Sequence, residues 1–502
     1  MNGVAEPSRA DDDRSRAVAL PGMGLRLAQA AGEWLRSSVT RRILGAAITV
    51  GVVAILLKLA GAGRELAVAY YFGTADELDA FLIAYLAPSF IISAPIAAVT
   101  AALMPTFVRV REEDEEQAAR LVANIFAAVL IVLGAGCGLL ALFAGTIVDL
   151  LGSGFSPAKA ALTERLFYLL LPIVMLNGVA RFWGTLINAS RRFFLVAAAE
   201  LVTPLLTVGL LLLLARDAGI YVLVGGVVGG AAFELLLVLP VAWRLRLLCR
   251  PAWHGLDPAT RIVIRQYLPT VLGTLMGSAM LLVDQSMAAM LAPGSVATLS
   301  YGAKLTALVL TLSAMPLGTA ILPYLSQLAA RRQWTEIRRT YLGWVAVVVA
   351  AALPVAAILV LYAEPLVRLI FERGAFTAEH TATVSVVVAC YALQLPFYLC
   401  GIIGARVLIA LRRNGVIAVI GVLNFTVNIA GNLLFMWLFG LPGLALATSA
   451  VYFVSSIVLT SLALAYLRRE DQAPVSGPPR QVPDRSPEPT TVQDGSPSES
   501  PI

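Results

Sequence analysis

The chain consists largely of long apolar stretches separated by short polar connections. Twelve stretches are centred near residues 57, 91, 131, 174, 203, 232, 275, 312, 350, 393, 426 and 453. Each has about the 20 residues that a helix needs to cross the hydrocarbon core of a bilayer. The pattern therefore predicts an all-α polytopic membrane protein with about 12 transmembrane helices. The even number places both termini on the same side.

Arginine is concentrated in every second connection between these stretches. Because positively charged connections stay in the cytoplasm, these connections and both termini are predicted to be cytoplasmic. The alternate connections are short, carry little positive charge and are predicted to face outward. The arginines of the five cytoplasmic connections are Arg109 and Arg111; Arg191 and Arg192; Arg244, Arg246 and Arg250; Arg331, Arg332, Arg338 and Arg339; and Arg412 and Arg413.

One outward connection, over residues 371–380, is longer and charged. It contains Glu372 and Arg373. Two interpretations stay open at this stage: a gating loop that caps the outer mouth of the protein, or a loop that is simply solvated.

The two halves of the chain resemble each other at an interval of about 220 residues. AALMP at 101–105 matches TAILP at 319–323, and Arg181 before one cytoplasmic arginine pair matches Arg406 before another. Each match falls in an equivalent span on the same predicted side. A duplication of this kind is typical of transporters, in which two bundles enclose a central cavity and expose it to each side in turn.

The repeat predicts two parallel six-helix bundles, over residues 41–250 and 251–469. Residues 1–40 are predicted to be a cytoplasmic tail that forms either a short interfacial helix or no ordered structure. Residues 470–502 are rich in Pro, Ser, Asp and Glu, which predicts a disordered cytoplasmic tail. The architecture favours a transporter rather than an enzyme.

The composition agrees with a membrane protein and excludes several other classes. Hydrophobic residues make up 59% of the chain and charged residues 14%, and the net charge is only +6. Nothing indicates a nucleic-acid partner. The four cysteines lack the paired spacing of a metal or redox site, and the two histidines fall in connections on opposite predicted sides. No cofactor is expected, apart from a coupling ion.

Three cations fall within predicted spans. Lys58 and Arg64 belong to the first span, and Lys304 belongs to the equivalent region of the second half. Charge at membrane depth is costly and usually faces a bundle interior or a water-filled path. Arg and Lys both bind phosphate groups, so these residues predict an anionic, diphosphate-bearing ligand. Gly61 and Gly63 permit a bend or break that would bring Lys58 and Arg64 together.

A structural interpretation of the same cations also stays open. Lys58 could extend to the membrane surface, and Arg64 could pair with Glu65 or Asp79 to hold helix ends together. Asp79 follows just beyond the first span.

Further charged residues fall at membrane depth in both halves. Arg181 and Arg406 lie two to three turns before cytoplasmic arginine pairs. They could line the inner half of the cavity or extend to the membrane surface. Glu200 and Glu234 lie in spans five and six, and the sequence identifies no partner for either.

A second group of polar residues favours a cation. Asp284 lies in span seven, and Asn424, Asn428 and Asn432 recur every four residues along span eleven. Carboxylate and amide oxygens are suitable ligands for Na⁺, whereas a proton would need Asp284 alone. Asparagines also join helices by hydrogen bonds, so helix packing is an equal alternative.

With these residues in view, the chain resembles the MurJ/MviN lipid II flippases of the multidrug/oligosaccharidyl-lipid/polysaccharide exporter superfamily. The resemblance covers roughly residues 41–469. It rests on five motifs, of which the run at 371–377 is the most specific: GAGRE at 61–65, FG at 72–73 followed by DAF at 79–81, LGTAILP at 317–323, FERGAFT at 371–377 and GLALAT at 443–448.

The resemblance implies a flippase of the bacterial inner (cytoplasmic) membrane. Such a protein carries an undecaprenyl-diphosphate-linked saccharide from the inner to the outer leaflet by alternating access. Na⁺ is the coupling ion that the family implies. The matching head-group positions are Arg64 and Asp79, and the matching sodium positions are Asp284, Asn424, Asn428 and Thr448.

The chain also departs from the family pattern. Lys58 and Lys304 replace arginines, and the last two helices of peptidoglycan flippases have no counterpart among the apolar stretches. The departures leave the saccharide open, with the peptidoglycan precursor lipid II ahead of an exopolysaccharide or O-antigen repeat unit. An ion-coupled multidrug exporter is a further alternative. The expected partners are the lipid-linked substrate and membrane lipid, and a scaffold that recruits cell-wall or polysaccharide biosynthesis enzymes is the remaining hypothesis.

Overall fold

A computed structural model describes the backbone of residues 38–472. It describes the side chains of residues 51–472, except those of 315, 316, 318–320 and 414. Within this range the chain forms seventeen helices and no strand. The all-α fold is therefore confirmed. The two predicted tails lie outside the described residues, apart from 38–40 and 470–472.

The first half of the chain forms nine helices. They are α1 (Ser38–Phe72), α2 (Asp76–Glu113), α3 (Glu115–Leu142), α4 (Ala144–Leu151), α5 (Pro157–Leu170), α6 (Pro172–Ala189), α7 (Phe193–Glu200), α8 (Val202–Ala218) and α9 (Tyr221–Arg244).

The second half of the chain forms eight helices. They are α10 (Pro258–Ala289), α11 (Ser295–Ala330), α12 (Trp334–Leu361), α13 (Ala363–Phe371), α14 (Ala378–Ala392), α15 (Leu395–Ala410), α16 (Asn414–Phe439) and α17 (Leu441–Gln472).

Eleven segments of the described chain are long and apolar enough to cross a membrane. Three of them combine two consecutive helices: α5 with α6, α7 with α8, and α14 with α15. The helix α1 is not among the eleven, and its described part carries Lys58, Arg64 and Glu65 in close succession. Together with α1, the eleven segments correspond to the twelve predicted spans, and the protein is a multi-pass membrane protein.

The fourth and tenth spans are interrupted in the same way. Pro172 begins α6, and Pro396 lies in the first turn of α15. Proline lacks the N–H that would continue a helix, but it is accepted at the first helical positions. The shared interruption adds a structural feature to the predicted repeat of the two halves.

The two halves meet unevenly. The most extensive contact between any two helices of the described chain joins α2 to α10, whereas α1 and α11 make little contact with each other. A cleft therefore lies between α1 and α11. The connections 73–75, 152–156, 290–294 and 372–377 lie together at one end of this cleft, which we call the outer end because the sequence predicts it to face outward.

The hydrophobic core shows where the halves are joined. One large cluster of buried residues combines the first half with the outer end of the second half, where Val296 and Phe376 belong to it, and with the start of α10 at Ala259 and Val263. A separate cluster around Tyr341 and Val407 belongs to the second half alone. The outer end is thus packed as one body, which places the candidate site at the closed end of the cleft.

Candidate functional site

A cluster of three charged side chains lies at the closed end of the cleft. Glu65 of α1 pairs with Arg64 of the same helix, with Nη2 of Arg64 3.1 Å from Oε1 of Glu65. It also pairs with Lys304 of α11, whose Nζ lies 2.6 Å from Oε2. One carboxylate thus faces two cations, and the cluster has a net positive charge. Since Arg64 and Lys304 stay partly exposed, the arrangement can accept an anion.

The third predicted cation lies apart from Arg64. The helix α1 is continuous through Gly61 and Gly63, so the break that would join Lys58 to Arg64 does not occur. Lys58 is exposed and instead lines a cavity of about 480 Å³ between α1 and α11. Glu65 and Lys304 line the same cavity, so it leads from Lys58 to the charged cluster.

Asp79 does not face this cavity. It is buried, with 1% of its surface exposed, and its carboxylate accepts hydrogen bonds from the backbone N–H groups of Gly294 at 2.8 Å and Ala297 at 2.7 Å. These groups belong to the N-cap and the first turn of α11, where N–H groups lack helical partners and the helix dipole favours a negative charge. Asp79 of the first half therefore caps a helix of the second half. In this arrangement a head group cannot reach Asp79 directly.

Lys159 completes the environment of Asp79. Its Nζ lies 2.9 Å from Oδ2 of Asp79 and 2.6 Å from Oδ1 of Asp76, and it stands over the ring of Phe155. The Lys159 side chain is only 8% exposed. A buried carboxylate needs such a partner, because its desolvation would otherwise be costly.

Backbone contacts close the outer end further. Ala375 donates its backbone N–H to the carbonyl of Tyr70 at 2.8 Å. The hydroxyl of Tyr301 donates to the carbonyl of Gly73 at 3.1 Å. At Gly294, φ is +82° and an added Cβ would lie 2.6 Å from the carbonyl oxygen of Thr74. Only glycine fits this left-handed, crowded position.

The predicted gating residues lie in the loop that makes the contact with Tyr70. Glu372 accepts a hydrogen bond from Thr381 at 2.7 Å and pairs with Arg368 at 3.4 Å. Arg373 donates to the carbonyl of Leu369 at 2.9 Å. Both side chains therefore support the loop from within the second half. The contact with the first half is made by the loop backbone.

Arg181 and Arg406 lie on equivalent helices in different surroundings. Arg181 of α6 donates from Nε to Oδ1 of Asn177 at 2.5 Å. Asn177 in turn donates from Nδ2 to the buried Glu234 of α9 at 3.4 Å. Arg406 of α15 is half-buried and belongs to none of the ion pairs among the described residues.

Three of the four predicted ion-binding residues come together in the second half. Asp284 of α10 accepts hydrogen bonds from Asn428 at 3.0 Å and from Thr448 at 3.4 Å. Asn432, one turn beyond Asn428, donates to the same carboxylate at 2.6 Å. Asn424 lies outside the group, because its amide donates to Ser455 at 3.2 Å.

The chemistry of this group fits a hard monovalent cation. Asp284 is buried, and no Lys, Arg or His pairs with it among the described residues. The amide oxygen Oδ1 of Asn432 is also buried and has no hydrogen-bond donor in the described structure. A carboxylate that lacks a countercharge, beside a free amide oxygen and a threonine hydroxyl, provides the oxygen ligands that Na⁺ needs.

Sequence reasoning missed one contributor to these arrangements. Lys159 lies in a connection predicted to carry little charge, and only the tertiary contact with Asp79 marks it. Asn432 belongs to the asparagine stripe that the sequence offers as cation ligands, but it is not among the sodium positions that the family resemblance implies.

Comparison with known proteins identifies the family. The family model described as "Lipid II flippase MurJ" matches residues 68–474. A probable lipid II flippase MurJ of Synechocystis sp. is 26% identical over 441 residues, which cover 84% of this chain and 81% of the relative. The corresponding protein of Vibrio cholerae is 24% identical over 442 residues, with 84% and 83% covered.

Solved structures share the fold. A lipid II flippase MurJ in an inward closed conformation has a TM-score of 0.71 at 19% identity, covering 86% of this chain and 94% of that chain. An inward-facing multidrug resistance transporter of the MATE family has a TM-score of 0.72 at 12% identity, covering 86% and 99%. Because the family model matches most of its length, this chain belongs to the lipid II flippase MurJ family.

Proposed function

We propose that this protein is a flippase that moves an undecaprenyl-diphosphate-linked saccharide, with lipid II the favoured substrate, from the inner to the outer leaflet. It would act in the bacterial cytoplasmic membrane, with both termini on the cytoplasmic side, as a transporter rather than an enzyme. The observation that carries the proposal is the net positive cluster of Arg64, Glu65 and Lys304 at the closed end of a cleft between two halves.

The cluster suits a diphosphate because its two cations, Arg64 and Lys304, share a single carboxylate, that of Glu65. Glu65 occupies part of the hydrogen-bonding capacity of Arg64 and Lys304, so a diphosphate would replace one carboxylate with a stronger anion. The guanidinium supplies forked contacts and the ammonium a point charge. Lys58 lines the same cavity away from the cluster, and it would attract the anion as the anion enters. The prenyl tail would stay in the lipid beside the gap between α1 and α11.

Alternating access would use the unequal contacts between the halves. The long α2–α10 contact would act as the axis, and the outer end would open when Asp79 leaves the N-terminus of α11. Binding of an anion to Arg64 and Lys304 would weaken the ion pair between Glu65 and Lys304, which joins the halves there. Opening of the outer end would thus follow from occupation of the cluster.

The other substrates considered are less favoured. The family model and the relatives above are named for lipid II, which places an exopolysaccharide or O-antigen unit second. A cationic drug would meet a site with excess positive charge. Recruitment of cell-wall or polysaccharide biosynthesis enzymes is compatible with either saccharide. It therefore does not help to choose between lipid II and an exopolysaccharide or O-antigen unit.

Rescue of a bacterium depleted of its own lipid II flippase tests the proposal. The wild-type chain should restore growth, and Arg64→Ala should abolish rescue because the cluster then loses its positive excess. Arg120→Ala is the matched control, since Arg120 forms an exposed pair with Glu116 that contributes little. If the wild-type chain reaches the membrane at normal levels but does not restore growth, lipid II is the wrong substrate.

A further inference from the structure

Glu234 is a buried carboxyl group that the proposed transport cycle leaves unused. It lies in the middle of α9, ten residues before Arg244, which corresponds to about 15 Å along the helix. Only 5% of its surface is exposed. Its one hydrogen bond among the described residues comes from Asn177 at 3.4 Å. Asp79 and Asp284, the other buried carboxylates in the part of the chain that the structure describes, each accept three hydrogen bonds.

The charges around Glu234 are few. Arg181 of α6 and Glu200 of α7 are the charged groups close enough to act on it. Arg181 donates its hydrogen bond to Asn177, and Asn177 lies between Arg181 and Glu234. The remaining ionisable residues of α9 and of the helices packed against it are Tyr221 and Arg244 at the two ends of α9, Arg216 and Asp217 in the last turn of α8, and Lys159, Glu164, Arg165 and Tyr168 on α5.

Arg181 connects this buried carboxyl group to water. Its side chain is exposed, although it lies eight residues before the end of α6, about 12 Å along the helix. An arginine at that depth faces a water-filled space rather than lipid. Arg181, Asn177 and Glu234 thus form a chain from the exposed side of α6 to the interior of the first half.

We propose that Glu234 is a proton-binding site and that Asn177 couples its protonation to the charge of Arg181. When Glu234 is ionised, Arg181 is attracted toward it. An anion that engages Arg181 removes this attraction, and Glu234 then takes a proton from the water around Arg181. Coupling is reciprocal, so protonation of Glu234 releases Arg181 and strengthens anion binding. This site is separate from Asp284 in the second half.

The coupling rests on the proposed function, because it assumes that Arg181 meets the anionic head group. The proton site at Glu234 does not depend on that function. The proposal is therefore tested first without a ligand, which examines the proton site, and then with undecaprenyl diphosphate as the probe, which examines the coupling.

In the first arm, infrared difference spectra of the purified full chain are recorded across a pH titration. The wild-type protein should show a component of the carboxylic-acid band that is absent from Glu234→Gln and present in Glu200→Gln. A titrating carboxylic-acid band that is identical in the wild type and Glu234→Gln would overturn the proposal. Gln preserves the size of the side chain and the contact with Asn177, and thermal unfolding checks that the variant is folded.

In the second arm, proton uptake from weakly buffered solution is measured when undecaprenyl diphosphate is added. The wild type should take up protons. Glu234→Gln and Arg181→Gln should lose this uptake, and Glu200→Gln should keep it. If Arg181→Gln retains the infrared band and loses the uptake, the coupling is supported. Uptake that is unchanged in both variants would overturn it, and failure of the wild type to bind the probe would instead count against the proposed function.

Discussion

Three carboxylates in this protein differ in the groups that neutralise them. Glu65 has two cations, and Asp79 has one lysine and a helix N-terminus. Asp284 has amide and hydroxyl donors but no cationic partner among the described residues. Because an uncompensated buried charge is costly, Asp284 is the one of these three carboxylates at which a bound cation would stabilise the protein most. We propose Na⁺ as that cation.

Sodium should therefore raise the thermal unfolding midpoint of the purified protein. A ligand at about 100 times its dissociation constant adds about 2.7 kcal/mol of stability. Asp284→Asn should lose the response to NaCl, measured against choline chloride at equal ionic strength. Asn432→Leu should weaken it, since the free amide oxygen is lost.

The Asn424→Ala variant tests whether Asn424 binds the ion, as the sequence predicts, or lies outside the ion site, as in this structure. Asn424 binds Ser455 in this structure, so its removal should leave the sodium response intact. A response lost in Asn424→Ala would mean that Asn424 turns toward Asp284 when the ion binds. A response retained in Asp284→Asn would exclude Asp284 as the sodium ligand.

At the scale of the helix, arginine ends four spans with the same backbone geometry. Each of these arginines has a left-handed φ between +55° and +61°. The backbone N–H of the following residue bonds back to a carbonyl five residues earlier, as in a Schellman motif. Glycine is the usual residue there, and the charge that marks a cytoplasmic connection offers a reason for arginine instead. The four residues are Arg191, Arg246, Arg332 and Arg412.

Glycine at such a position should relieve backbone strain. The left-handed conformation costs roughly 1–2 kcal/mol for a residue with a Cβ. Arg191→Gly should therefore be more stable than Arg192→Gly by about that amount, measured as the thermal unfolding midpoint in detergent. Arg192 has φ of −104°, and both variants lose one positive charge, so the comparison isolates the backbone. Equal midpoints would show that the left-handed turn is not strained.

At the scale of the whole molecule, the two halves are joined more completely at the outer end than at the other end. The outer end shares one hydrophobic core between the halves. At the other end the start of α10 belongs to that core through Ala259 and Val263, whereas a separate core around Tyr341 and Val407 belongs to the second half alone. Asp79, Lys159 and the N-terminus of α11 provide the polar part of the closure. Removal of one partner of a buried ion pair costs roughly 3–5 kcal/mol, which exceeds the roughly 1.4 kcal/mol that changes a population tenfold.

Lys159→Gln should therefore favour an open outer end. Spin labels at Asp217→Cys and Glu379→Cys, in a background without the native cysteines, report the distance between the halves at that end. The population at long distance should rise at least tenfold in Lys159→Gln. Arg165→Gln, on the same helix, should behave as the parent protein. A distance distribution that is unchanged in Lys159→Gln would show that the lysine does not hold the closure.

The spans and the predicted sidedness of the connections could be read from the sequence. Span length depends on consecutive apolar residues, and sidedness on the arginines nearby, so both are local properties. The charges at membrane depth were also visible, because Arg64, Asp284 and Glu234 interrupt apolar runs. Their partners were not visible, except where spacing along one helix joined them, as with Arg64 and Glu65.

The tertiary structure alone decided which distant residues meet. Asp79 caps a helix more than 200 residues away, Lys159 neutralises it, and Asn432 rather than Asn424 reaches Asp284. These contacts depend on the rotation of each helix about its axis and on its position along its neighbours. Packing of the complete bundle sets both quantities. The sequence by itself therefore determined the membrane architecture and the charges it must accommodate, and the packed structure determined how those charges are paired.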